Sequence, residues 1–127
     1  MNEEMTAWSW WNGKRVSYNF GLVISGILAF IAYCSIIWSN SDIIEDADIT
    51  ILTTLVQGVG YLFMMFVANI CYCGGPIAEL ILKPKEIDMF RSKLFIFGFC
   101  FSVILPFSIP SLLLSLVIFY PEYWTKI

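Results

Sequence analysis

The chain has 127 residues, of which 59% are hydrophobic, 17% aromatic and 13% charged, with a mean hydropathy of +0.79 and a net charge of −3. A soluble domain carries roughly 25% charged residues, so this composition excludes one, and the length allows a single compact unit. The apolar residues fall into three long uncharged runs rather than into helices with one polar face, which predicts an all-α integral membrane protein forming a single membrane domain over residues 1–127.

The N-terminal stretch "MTAWSWWNGKR" sets Trp8, Trp10 and Trp11 beside Lys14 and Arg15. This reads as an interfacial helix lying on the membrane surface; the sharper alternative is an aromatic anchor for a partner protein, since Trp often dominates interface energies. Asn12-Gly13 reads as a turn, so the cluster is not expected to extend the first span rigidly.

The first span is residues 16–39, "VSYNFGLVISGILAFIAYCSIIWS". At about 1.5 Å rise per residue it crosses a hydrocarbon core of roughly 30 Å with a little to spare. It is longer than the apolar core of a signal peptide, about 7–15 residues, and no small-x-small cleavage signature follows it. Bulky Tyr33 before Cys34 also argues against lipoprotein-type cleavage. Gly21, Ser25 and Ala29 recur at four-residue spacing, with Ala32 three residues on. Such a row of small residues lets another helix approach closely, within the chain or between copies.

Residues 40–50 form an acidic outer loop with Asp42, Glu45, Asp46 and Asp48. It lacks the central glycine and the terminal glutamate spacing of a calcium loop, so a solvated acidic face is expected.

The second span, residues 51–73, carries Thr54, Gln57, Tyr61, Met65, Ala68 and Tyr72 at spacings of three and four, with Asn69 beside them. Amides in hydrocarbon must point at protein or water. The row therefore reads either as helix-to-helix hydrogen bonding or as the wall of a pore. Three helices from one chain are too few to enclose an aqueous channel, so a pore would need several copies. "GVG" at 58–60 lacks the remaining features of a dinucleotide fingerprint and reads as a close-packing site.

The linker, residues 74–93, begins within "NICYCGGPIAELILKPK". Cys71 and Cys73 are two apart, which on a helix points them in different directions. A four-ligand zinc site would have to gather Cys34 and Cys100 from incompatible depths, with no histidine to help. No metal and no cofactor are expected. Gly74 and Gly75 are expected to end the second span in the left-handed conformation, and Pro76 to open a short cytoplasmic interfacial helix stopped by Pro84. Glu79 and Lys83, four apart in the favourable order, are expected to pair. Gly74, Gly75, Pro76 and Glu79 together make a candidate turn or partner site. The basic residues of "KEIDMFRSK" are expected to meet lipid phosphates.

The third span, residues 94–120, would measure about 40 Å as one helix, so it must tilt, kink or protrude. Pro106 and Pro110 interrupt it. A single Pro-kinked helix is favoured over a re-entrant hairpin, with Ser102, Ser108 and Ser111 near enough to satisfy the freed carbonyls.

Six of the seven Lys/Arg lie before the first span or in the second linker. By the positive-inside rule those segments face the cytoplasm, and the acidic loop and the tail "PEYWTKI" face outward. The aromatic residues near the span ends, Trp8, Trp10, Trp11, Tyr18, Trp38, Tyr72, Tyr120, Tyr123 and Trp124, read as interfacial belts.

Histidine is absent, no span contains Asp, Glu, Lys or Arg, and no nucleophile elbow or phosphate loop appears. An enzyme is not expected. The reading is a small multi-pass subunit in the plasma membrane or a bacterial inner membrane. Its partners would be the lipid bilayer and other membrane subunits or itself, with no nucleic acid, and it would act through helix contacts in a homo- or hetero-oligomeric assembly. The alternative is a multimeric pore or small-solute conduit lined by Thr54, Gln57, Tyr61 and Asn69.

Overall fold

The computed structural model of the chain describes residues 3–44, 51–120 and 122, and among these there are no strands. The elements are α1 (Glu3–Ser39), α2 (Ser41–Ile44), α3 (Ile51–Tyr72), α4 (Gly74–Leu82), α5 (Ile87–Ile104), a 3₁₀ turn (Leu105–Phe107) and α6 (Ser108–Phe119). Three helical runs, Ala7–Ser39, Ile51–Leu82 and Ile87–Phe119, are long and apolar enough to cross a membrane. At about 1.5 Å per residue each is longer than the roughly 30 Å of a hydrocarbon core. Glu45, Asp46 and Asp48 of the acidic loop, and Tyr123 and Trp124 of the tail, lie outside the described residues.

The turn expected at Asn12-Gly13 does not form: α1 runs unbroken through both residues. A mid-helix glycine costs only about 1 kcal/mol. Burial of Ala7, Trp11, Tyr18 and Leu22, each at most 3% exposed, outweighs it. Trp11 and Tyr18 are consequently core residues and not members of an interfacial belt. Tyr72, 7% exposed, turns inward as well. Trp38, at 86% exposed, and Tyr120 do face outward.

The expected helix end at Gly74-Gly75 is also displaced. No glycine has a positive φ, and the left-handed residue is Lys83, with φ 43 and ψ 59. Pro76 lacks the N–H that would bond the Tyr72 carbonyl, so the ladder loosens for one residue, Cys73, whose N–H turns back to Ile70 at 3.1 Å. Cys73 keeps right-handed helical angles and α4 resumes at once. Helix α4 stops at Lys83, before Pro84, where the Lys83 N–H donates to the Glu79 carbonyl at 3.0 Å.

Along the third run Ile104, Leu105, Phe107 and Ser108 all have right-handed helical angles. The backbone therefore never reverses, and the prolines tighten one turn rather than make a hairpin. Help for the loosened ladder comes from another helix: the Ser25 hydroxyl of α1 donates to the Val103 carbonyl, just before the 3₁₀ turn.

Helix α1 is the central element, packing on α3, α4, α5 and α6, whereas α3 leans principally on α1. The buried cluster is Trp11, Tyr18, Leu22 and Tyr72, with Met65, Ala68, Phe95 and Phe99 against it. The core thus sits toward the N-terminal end of α1, where α3, α4 and α5 converge.

Candidate functional site

At that convergence the connection 83–86 brings α5 back beside α4. Glu79, one turn before the end of α4, meets Arg91, one turn after the start of α5. Arg91 Nε donates to Glu79 Oε2 at 2.9 Å and Nη2 to Oε1 at 2.5 Å, a bidentate fork with both side chains buried. From α1, Trp11 Nε1 donates to Glu79 Oε2 at 3.0 Å. The Trp11 carbonyl in turn accepts from Tyr72 Oη of α3 at 2.6 Å. Four helices are therefore tied through two residues, Trp11 and Glu79.

Electrostatics explains why this carboxylate is tolerated in an apolar setting. The Arg91 guanidinium supplies the opposite charge, and its fork together with the Trp11 N–H replaces the hydrogen bonds that burial takes from water. The Arg91 guanidinium also stands 5.7 Å over the Trp10 ring, with Lys14 5.8 Å from the same centroid. Every oxygen of Glu79 is engaged, so the group is suited to holding helices in place.

The pairing expected between Glu79 and Lys83 is absent: Lys83 is exposed at the helix end, and its place is taken by Arg91. Arg91, expected to meet lipid phosphate, is only 6% exposed. Gly75 has a role the sequence reading did not assign, because a Cβ there would stand 2.7 to 2.9 Å from the Trp11 indole. Gly74 meets nothing within 4 Å, and Pro76 is buried.

A second set of contacts ties the spans deeper in. Tyr18 Oη donates to the Ala68 carbonyl at 3.2 Å and shares a 2.7 Å hydrogen bond with Ser102. The row of small residues on α1 is used within the chain: Gly21 receives the Phe99 ring, Ser25 reaches Val103, Ala29 is fully buried and Ala32 half-buried. Of the polar row on α3, Tyr61 is buried against Phe30 with ring centroids 6.0 Å apart. Asn69 donates back to the Met65 carbonyl at 3.1 Å, and Thr54 and Gln57 are half-buried. The row thus faces α1 in part and does not form one continuous polar wall.

Between α3–α4 and α5 lies a crevice of about 200 Å³, with Trp11, Tyr18, Tyr72, Phe95, Phe99 and Ser102 among its walls. Its rings are locked by the hydrogen bonds above and by the Phe95–Phe99 stack at 5.8 Å. Among the described residues no group of three or more His, Cys, Asp or Glu converges on a metal position.

Trp11, Tyr18, Arg91 and Ser102 take part in roles other than those expected from sequence, which placed Trp11 and Tyr18 as belt residues, Arg91 at lipid phosphates and Ser102 at the carbonyls freed by proline. One signal for Arg91 was available: it and Glu79 stand about one turn from either end of the short connection around Pro84. No family model, curated protein or solved structure matches the chain.

Proposed function

We propose that the chain is a small integral membrane subunit that works by presenting helix surfaces to other membrane subunits or to copies of itself. The observation that carries this reading is the contrast between its two parts. Where α1, α3, α4 and α5 converge, a buried ion pair and two aromatic hydrogen bonds fix the helices. Beyond it, α3 buries only Tyr61 and Tyr72 of its 22 residues, leaving Leu55, Leu62, Phe63 and Phe66 each more than 60% exposed. A rigid base that holds an uncovered apolar helix is suited to contact with other helices in the bilayer, where close packing supplies the association energy.

The distribution of basic residues supports an orientation with the N-terminus and the linker 74–93 in the cytoplasm. The inward packing of Tyr61 favours the contact role over a pore lined by α3. The test is cross-linking in native membranes through single cysteines at Leu55, Leu62 and Phe66, in a chain whose own cysteines are replaced. Adducts of higher mass at a subset of these positions are expected. Monomer alone at all three would contradict the proposal.

A further inference from the structure

Five rings form an unbroken arc around the crevice between α3–α4 and α5. Centroid to centroid, Phe95 stands 5.8 Å from Phe99, Phe99 6.2 Å from Tyr18, Tyr18 4.5 Å from Tyr72 and Tyr72 5.7 Å from Trp11. All five line the space, which measures about 200 Å³. Aromatic pairs attract at separations of about 4.5–7 Å, so a further ring entering the arc has partners on several sides. An apolar cavity of about 150 Å³ takes up benzene. The crevice therefore has room for one substituted ring.

The polar atoms of the wall decide which ring. Tyr18 has a single hydroxyl proton and donates it to the Ala68 carbonyl at 3.2 Å. The 2.7 Å bond between Tyr18 and Ser102 is then donated by Ser102. Ser102 Oγ has thereby given up its only proton, and among the described residues no group donates to it. Ser102 is 9% exposed and stands in the wall, so it is a buried acceptor with capacity left over.

The wall is correspondingly short of donors. Trp11 Nε1 is committed to Glu79 and Tyr72 Oη to the Trp11 carbonyl. The Cys71 thiol, the remaining polar side chain of the wall, donates only weakly. An anion would thus find nothing to bind it. A cation is disfavoured too, because the Arg15 guanidinium stands 5.4 Å over the Tyr72 ring and the Glu79 carboxylate is already paired with Arg91. What fits is a neutral ring that brings its own O–H.

We propose that the crevice binds a neutral phenol from the bilayer, its ring joining the aromatic arc and its hydroxyl donating to Ser102 Oγ. The site lies within one chain, so it does not depend on the assembly proposed above; it does rest on the reading of the chain as a bilayer protein. Gly74 and Gly98 contribute no side chain to the wall, and a Cβ at either would meet nothing within 4 Å, which leaves the way in open.

The experiment places the full chain in phosphatidylcholine vesicles with a phenol carrying a diazirine para to the hydroxyl, and in parallel with its methyl ether, which keeps the ring and lacks the donor. After illumination, adducts are located by mass spectrometry and expressed as the ratio of those on Phe95, Phe99 and Ser102 to those on the exposed residues Leu62 and Phe66. For the phenol this ratio should be high, and for the ether several-fold lower. Gly98→Leu, which fills the crevice, should lower the phenol ratio several-fold, whereas Gly60→Leu, in an equally open position on α3, should not. Ser102→Ala should narrow the preference for phenol over ether. Equal ratios for phenol and ether in the unaltered chain would overturn the proposal without recourse to any variant, as would a higher ratio for the corresponding benzylammonium. A preference unchanged by Ser102→Ala would overturn the hydroxyl contact. Failure of the protein to float with the vesicles would overturn the bilayer reading itself, and flotation with evenly scattered adducts the phenol site alone.

Discussion

Arg91 holds both oxygens of Glu79, and the same carboxylate receives the indole N–H of Trp11 from the start of the chain. The relationship joins α1, α4 and α5 at one buried point. Breaking a buried pair by removing one partner leaves an uncompensated charge, which costs about 3–5 kcal/mol, whereas replacing both partners with apolar groups is often neutral or stabilising. Glu79→Ala or Arg91→Ala should therefore lower thermal stability in detergent strongly. The double variant Glu79→Leu, Arg91→Met should recover most of that loss, and a double variant as unstable as the sum of the singles would contradict the pairing.

Acid should act through the same pair. Protonating Glu79 removes the charge that Arg91 pairs with, so the pair's contribution is lost once that carboxyl takes up a proton. A melting temperature scanned from neutral pH downward should therefore fall at acid pH. Glu79→Gln should start lower and show a smaller drop; an identical acid profile would assign the effect to other groups.

The two adjacent glycines should behave oppositely. Gly75→Ala drives a methyl group into the Trp11 ring and is expected to cost about 1–3 kcal/mol. Gly74→Ala, with open space around it, should be neutral or stabilising by up to about 1 kcal/mol through helix propensity. Denaturation of the two single variants side by side checks this, and equal effects would remove the role given to Trp11.

Ser25 should matter through one hydrogen bond. Ser25→Ala removes its donation to the Val103 carbonyl and should cost about 0.6–2 kcal/mol, the range for such bonds between membrane helices. Ser25→Leu should be worse, because the site is 2% exposed and the third run packs against it. Exchange of the Val103 region measured by hydrogen–deuterium labelling should rise in both variants.

What could be read from the sequence was what depends on composition and periodicity. The uncharged runs at 16–39, 51–73 and 94–120 correspond to three helices of membrane-crossing length, because length and hydropathy are local properties. Where the helices stop was less legible. Gly13, Gly74 and Gly75 carry the local signals of turns, yet burial of Trp11 and Tyr18 carries α1 through one, and close approach to Trp11 explains Gly75. The partner of Glu79 was misread as Lys83, since neighbours on one helix are visible in sequence and neighbours across a connection are not. Ser25 was legible as a small residue, but its bond to Val103 depends on how α1 and the third run align.

We propose above that this chain is suited to sit among other membrane helices. The most direct measurement is the mass and composition of the particle extracted from its native membrane in mild detergent. The expected particle has a protein mass above the 14.5 kDa of one chain, from several copies or from this chain with other membrane proteins. A lone monomer, stable and without partners, would contradict it.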